Sequence, residues 1–170
     1  MAGDDIQEMI DNMPVLARRR IEAMVLGPMI RAFQEEVGED RANRIARQVI
    51  EDLAKEQGAR LREKAGGGDI DSYVASKGAW TANNALEIEV VRKDLSHYDY
   101  NVTRCRYAEM YRELGMEDLG YIFSCGRDFN FPKGFNSNMK LRRTQTIMEG
   151  ASYCDFRYEL ASDREDEDCE

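Results

Sequence analysis

Three residue types in this 170-residue chain could do chemistry together: cysteines at 105, 125, 154 and 169, an aspartate at 128, and paired arginines at 142 and 143. A thiol donates a proton or, as thiolate, attacks an electrophilic carbon. A carboxylate takes a proton from water, and a guanidinium grips a carboxylate in bidentate fashion. Asp128 follows Cys125 by three residues, and Arg142 and Arg143 run into Thr144 and Thr146. Cys154 and Asp155 are adjacent further on. Neighbouring residues of a strand face opposite sides, so at most one of the two arginines looks inward. A buried arginine must be paired, for which Asp155 is the expected partner, or must hold an anion. Strand propensity by itself also explains Thr144 and Thr146. No Cys-x-x-Cys occurs, so the usual zinc and thioredoxin signatures are absent. The spacings of 20 and 29 between Cys105, Cys125 and Cys154 lend a zinc site no support without excluding one. His97 is the only histidine, which rules out a His-rich metal site, and it falls in a polar stretch, 96–99, that reads as a turn.

These residues need elements to position them. The chain changes character at Gly66-Gly67-Gly68. Before it, a helix is predicted from about Pro14 to Val37, with Ile21, Met24, Val25, Met29, Ile30, Phe33 and Val37 at three- and four-residue steps. Gly27-Pro28 should kink or divide it. A second helix is predicted from Glu39 to Lys64, with Ala42, Ile45, Ala46, Val49, Ile50 and Leu53 as its apolar stripe. Arg18-Arg19-Arg20 and Arg41, Arg44 and Arg47 read as solvated faces. Asp69 caps a short third helix through Trp80. Leu86, Ile88 and Val90, then Tyr98, Tyr100 and Val102, alternate as half-buried strands. Helices are predicted over 105–114 and 117–125, a loop over 126–138, and an antiparallel pair, 139–148 and 153–160, around 149–152. The fold class is α+β: an N-terminal helical hairpin packed on a small antiparallel sheet with additional short helices. One domain spans 1–160, its helical part 14–80 and its sheet part 85–160. An acidic disordered tail follows at 161–170.

The net charge is −9, of which −5 lies in that tail. Nucleic-acid binding needs a basic footprint and is not expected. No apolar run approaches a membrane span, and the acidic N-terminus is no secretory signal. A cytoplasmic protein that binds neither nucleic acid nor membrane is the expectation. The helical stripe is wide enough to meet a second copy, so a homodimer or higher homo-oligomer through the helical half is expected as well.

Asn101-Val102-Thr103-Arg104-Cys105, Cys125-Gly126-Arg127-Asp128, Leu141-Arg142-Arg143-Thr144-Gln145-Thr146, Gly150 and Tyr153-Cys154-Asp155-Phe156 occur in that order. The ordered set resembles the L-2-amino-thiazoline-4-carboxylic acid hydrolase family over about residues 85–160, and the helical half resembles it more loosely. The resemblance implies water addition to the amidine-like carbon of a five-membered ring, then expulsion of the thiolate, opening the ring to N-carbamoyl-L-cysteine. Such a reaction needs a base, a proton donor and a cation for the substrate carboxylate. On this reading Asp128 is the base. Arg142 or Arg143 clamps the carboxylate, with Thr144, Cys154 and Asp155 beside it. Cys105 or Cys125 donates a proton or attacks the carbon. Attack suits Cys105 better, at a helix start between Arg104 and Arg106, because both features lower a thiol pKa. No cofactor is required, and the partner is a small carboxylated substrate. The alternatives are a non-catalytic dimeric domain whose pocket is lined by Tyr98, Tyr100, Tyr121, Phe129 and Phe131, and a metal protein using the three inner cysteines.

Overall fold

The structure, a computed structural model, describes residues 6, 8–10 and 12–161. All but the first residue of the expected acidic tail, with Cys169, lies outside the described residues.

Pro14 precedes helix α1 (Val15–Val37), where its missing N–H costs nothing. The helix runs unbroken across Gly27-Pro28, so the expected division does not occur. Gly38, at φ +86°, is the whole connection to α2 (Glu39–Ala65). That backbone conformation is nearly free only for glycine. Asp69 then caps α3 (Ile70–Ser76), its carboxylate accepting from the Ser72 N–H at 2.7 Å. The predicted single helix through Trp80 breaks at Lys77, and a short α4 (Gly78–Thr81) follows.

The two long helices bury only part of their expected stripes: Ala42, Ala46 and Ile50 turn inward and Ile30 packs on the core, while most of the large residues do not. Ala23 and Gly27 of α1, and Ala42, Ala46, Ile50, Ala54 and Gly58 of α2, point inward. Ile21, Met24, Val25, Met29, Phe33 and Val37 are exposed, as are Ile45, Val49 and Leu53. For α2 the reason is close backbone approach. A Cβ on Gly58 would lie 2.1 Å from the Phe131 carbonyl oxygen, and one on Gly134 would lie 1.9 Å from that of Lys55. Helix α2 meets the segment around 131–135 almost backbone to backbone, which only small residues permit.

The sheet has the strand order β1-β2-β4-β3, antiparallel throughout, with β1 (Leu86–Lys93), β2 (His97–Cys105), β3 (Met139–Arg142) and β4 (Cys154–Leu160). His97 opens β2 rather than lying in the turn. The turn is made by Asp94, whose carboxylate accepts from the Ser96 and His97 N–H groups. Tyr98, Tyr100 and Val102 of β2 share a buried face with Cys154, Phe156 and Tyr158 of β4, as their alternation predicts. Tyr100 is registered opposite Phe156, and the two rings stack at 4.9 Å.

Helices α5 (Arg106–Glu113) and α6 (Glu117–Phe123) follow β2. The predicted loop 126–138 is more ordered than expected. It holds most of a 3-10 turn (Cys125–Phe129) and a short α7 (Phe131–Phe135) with Pro132 in its first turn. The predicted strand 139–148 is shorter than expected and ends at Arg142. Beyond it, the Asp155 carboxylate accepts from the Thr144 and Gln145 N–H groups, each at 2.9 Å. Those bonds replace the sheet ladder, and a 3-10 turn (Ile147–Glu149) capped by Thr146 leads back to β4.

Candidate functional site

The buried sheet face does not pack flat against the helices. It encloses a cavity of about 300 Å³ with the start of α1, the α3–α4 corner, the start of α5 and the segment 124–128. Cys105, Cys125, Asp128, Arg143 and Cys154 all line it, although up to 49 residues separate them in sequence.

At its polar wall, Arg143 Nη1 donates to Asp128 Oδ2 at 2.6 Å, and Nη2 donates to the Cys125 carbonyl at 3.2 Å. The guanidinium stacks on Phe129 at 4.9 Å and Phe156 at 5.1 Å, with Tyr121 at 5.9 Å. Its side chain is 1% exposed, that of Asp128 29%. Burial works against the arginine's charge, but the Asp128 carboxylate more than offsets it, and the Arg143 pKa is raised. Arginine 143 is therefore the inward member of the pair, and its partner is Asp128 rather than Asp155. Arg142 is exposed on β3. Thr144 and Asp155 bind each other and the local backbone outside the cavity. Those three do not meet the other candidates.

The thiols do meet them, but in a form unsuited to attack. Burial pushes Cys105 up to about 11, and raises Cys125 well above the ordinary range and Cys154 to a lesser extent. The two arginines flanking Cys105 do not help it. Arg104 turns to Glu109 at 2.9 Å, and Arg106 donates to the Asn83 carbonyl at 2.9 Å. A thiol of pKa near 11 is about one part in ten thousand thiolate at pH 7. Among the described residues no three His, Cys, Asp or Glu side chains are placed to hold a metal ion.

Three cavity cations were not selected from the sequence. Lys77, at the break between α3 and α4, puts Nζ 3.2 Å from the Tyr158 hydroxyl and 4.6 Å from the Tyr73 ring centroid. Burial among these rings lowers its pKa to about 8, against a counteracting pull from Asp128. The available signal was its spacing: Tyr73 and Trp80 stand four before and three after it, on one helical face. Arg127, inside the Cys125–Asp128 motif, is 6% exposed and lines the cavity. Arg19, from a row assigned to solvent, is 5% exposed and lines it too. Its neighbours do remain at the surface side: Arg18 donates to the Ile10 carbonyl and Arg20 to Glu113. No sequence pattern separates Arg19 from them, since only the helix's rotational setting decides.

A single antiparallel sheet facing a mixed polar and aromatic cavity, with helices closing the other side, defines an α+β domain built around a small-molecule-sized hollow. The family model for L-2-amino-thiazoline-4-carboxylic acid hydrolase matches residues 18–158, and the chain belongs to that family. The match takes in both long helices, where the resemblance is looser, as well as nearly all of 85–160. Curated proteins give no match. Among solved structures, trafficking protein particle complex subunit 3 from Naegleria fowleri, covalently bound to palmitic acid, shares the fold. The TM-score is 0.52 at 11% identity, covering 86% of this chain and 96% of that one. The phenol-responsive sensory domain of the transcription activator PoxR, with phenol, aligns at a TM-score of 0.48 and 12% identity, over 86% of this chain and 72% of that one. No helix among the described residues is long and apolar enough to cross a membrane.

Proposed function

We propose that the protein is a cofactor-independent hydrolase that opens a small carboxylated ring of thiazoline, cyclic amidine or lactam type. One observation carries this reading: a carboxylate, a lysine of lowered pKa and a buried guanidinium converge on one aromatic-walled cavity of about 300 Å³. That volume suits a single small ring.

Asp128 is the base. Arg143 holds Oδ2, fixing the carboxylate so that Oδ1 takes a proton from water as the water oxygen bonds to the ring carbon between the heteroatoms. The C=N or C=O π electrons move onto the nitrogen or oxygen, giving a tetrahedral intermediate. As it collapses the carbonyl re-forms, and in an amidine-type ring the added hydroxyl's proton passes through solvent to the former C=N nitrogen. The carbon–sulfur or carbon–nitrogen single bond breaks. The departing heteroatom takes a proton from the Lys77 ammonium. A donor of pKa about 8 matches a leaving thiolate or amine far better than the Cys105 thiol near 11 does. Solvent returns the proton from Asp128 to Lys77, so one water is consumed per ring opened. Cys105, Cys125 and Cys154 shape the cavity as neutral thiols, and no covalent intermediate is formed.

The test is turnover of 2-amino-thiazoline-4-carboxylate and of carboxylated cyclic amidines, lactams and imides, followed by mass spectrometry. Asp128→Asn should slow the chemical step by about 10²–10⁴-fold with the fold intact. Unchanged turnover in that variant overturns the base assignment.

The second reading, a binding domain that does not turn its ligand over, is favoured by the aromatic walls. Tyr98, Tyr100 and Phe131 do line the cavity, whereas Tyr121 and Phe129 serve chiefly to flank Arg143. Saturable binding without product from any ring compound would decide for it.

A further inference from the structure

The polar wall just described accounts for Asp128, Arg143 and Lys77. It leaves another cation of the cavity, Arg127, unexplained. Arg127 is more than nine-tenths buried, it lines the cavity, and its Nε and Nη1 have no acceptor among the described residues. Arg19 lines the same cavity, equally buried, with its Nη1 held by Glu22. The hydroxyl of Tyr111, also buried, is unpartnered and feels the charge of both arginines. An unpaired buried guanidinium is among the costliest arrangements a fold can keep. Here it is kept beside a second arginine, whose like charge joins burial in lowering the Arg127 pKa to about 10. Around the cavity the cations Arg19, Arg127, Arg143 and Lys77 outnumber the carboxylates Glu22 and Asp128, in a chain whose net charge is −9. The hollow is electropositive in an acidic protein.

We propose that Arg127, backed by Arg19, is the anion subsite of this cavity and takes the carboxylate of a small ring compound. A guanidinium whose Nε and Nη1 have no acceptor keeps charge-assisted donors on two of its edges for a carboxylate oxygen. The aromatic remainder of the wall takes the ring. Arg143, already committed to Asp128 and the Cys125 carbonyl, positions the base instead of holding substrate. The inference rests on the hydrolase reading only for the identity of the molecule that carries the anion.

The test uses benzoate and benzamide as probes, matched in shape and differing in charge. The chain has one tryptophan, Trp80, and it lines the cavity, so its emission reports occupancy. The wild-type protein should bind benzoate at least tenfold more tightly than benzamide. Arg127→Met should lose that preference, a fall of about 10–100-fold for benzoate, while melting no lower than wild type without ligand, because a buried unpaired charge has been removed. Should Arg127→Met fail to fold, Arg127→Lys keeps the charge but not the planar set of donors and must narrow the preference. A wild type that holds both probes equally, or an Arg127 variant that keeps the full preference, overturns the subsite. Benzoate selectivity that depends on Arg127, with no ring compound turned over, leaves the subsite standing and removes the hydrolase. Turnover whose KM ignores both the substrate carboxylate and Arg127→Met does the reverse.

Discussion

Arg143 and Asp128 form a 2.6 Å ion pair across two segments fifteen residues apart in sequence, one partner sealed from solvent and the other a third open to it. The asymmetry has an energetic consequence. Losing the carboxylate strands a buried cation, whereas losing the arginine leaves a carboxylate that water can reach. Asp128→Ala should cost about 3–5 kcal/mol, and Arg143→Met clearly less. Urea unfolding midpoints for the two variants check the order.

Lys77 gives the protein an alkaline signature. Its pKa is about 8 folded, against 10.5 for an ordinary lysine, so between those values the unfolded chain binds more protons. Stability from this group therefore rises with pH through that window, and its full penalty is felt below pH 8. Lys77→Met should be more stable than wild type at pH 7, with the difference vanishing by about pH 10.5. Denaturation at pH 7, 9 and 10.5 measures it. Turnover should fall above pH 8 as the donor loses its proton, which a pH–rate profile shows.

The thiols should be unreactive. With burial raising all three, Cys105, Cys125 and Cys154 should alkylate at pH 8 only after unfolding, as peptide mass mapping will show. Cys105→Ser and Cys125→Ser should each keep turnover within about tenfold of wild type. Abolition of activity by either would restore the covalent route.

The backbone crossing of α2 and α7 sets a limit on residue size. Gly134→Ala and Gly58→Ala should each destabilise by about 1–3 kcal/mol or more, because the new methyl meets carbonyl oxygens that cannot move aside. Gly78→Ala, with nothing within 4 Å of the added atom, should not. Thermal melts of the three proteins make the comparison.

Much of this molecule is local and so could be read from the chain. The Asp69 cap, the two long helices, and the inward faces of β2 and β4 follow from periodicity and capping, which neighbouring residues enforce. The ordered motifs around Cys105, Cys125–Asp128, Arg143 and Cys154 pointed to residues that share one cavity. What the chain could not disclose depends on rotation and register. The burial of Arg19 but not its neighbours, and the inward turn of α1's small residues, depend on what each helix packs against. Arg143 looks inward and pairs with Asp128 because β3 stops one residue before it and Asp155 is taken up by backbone N–H groups. The raised thiol pKa values and the lowered ones of Lys77 and Arg127 arise chiefly from desolvation. That is a property of the surroundings gathered by the fold, and no residue carries it in its own sequence neighbourhood.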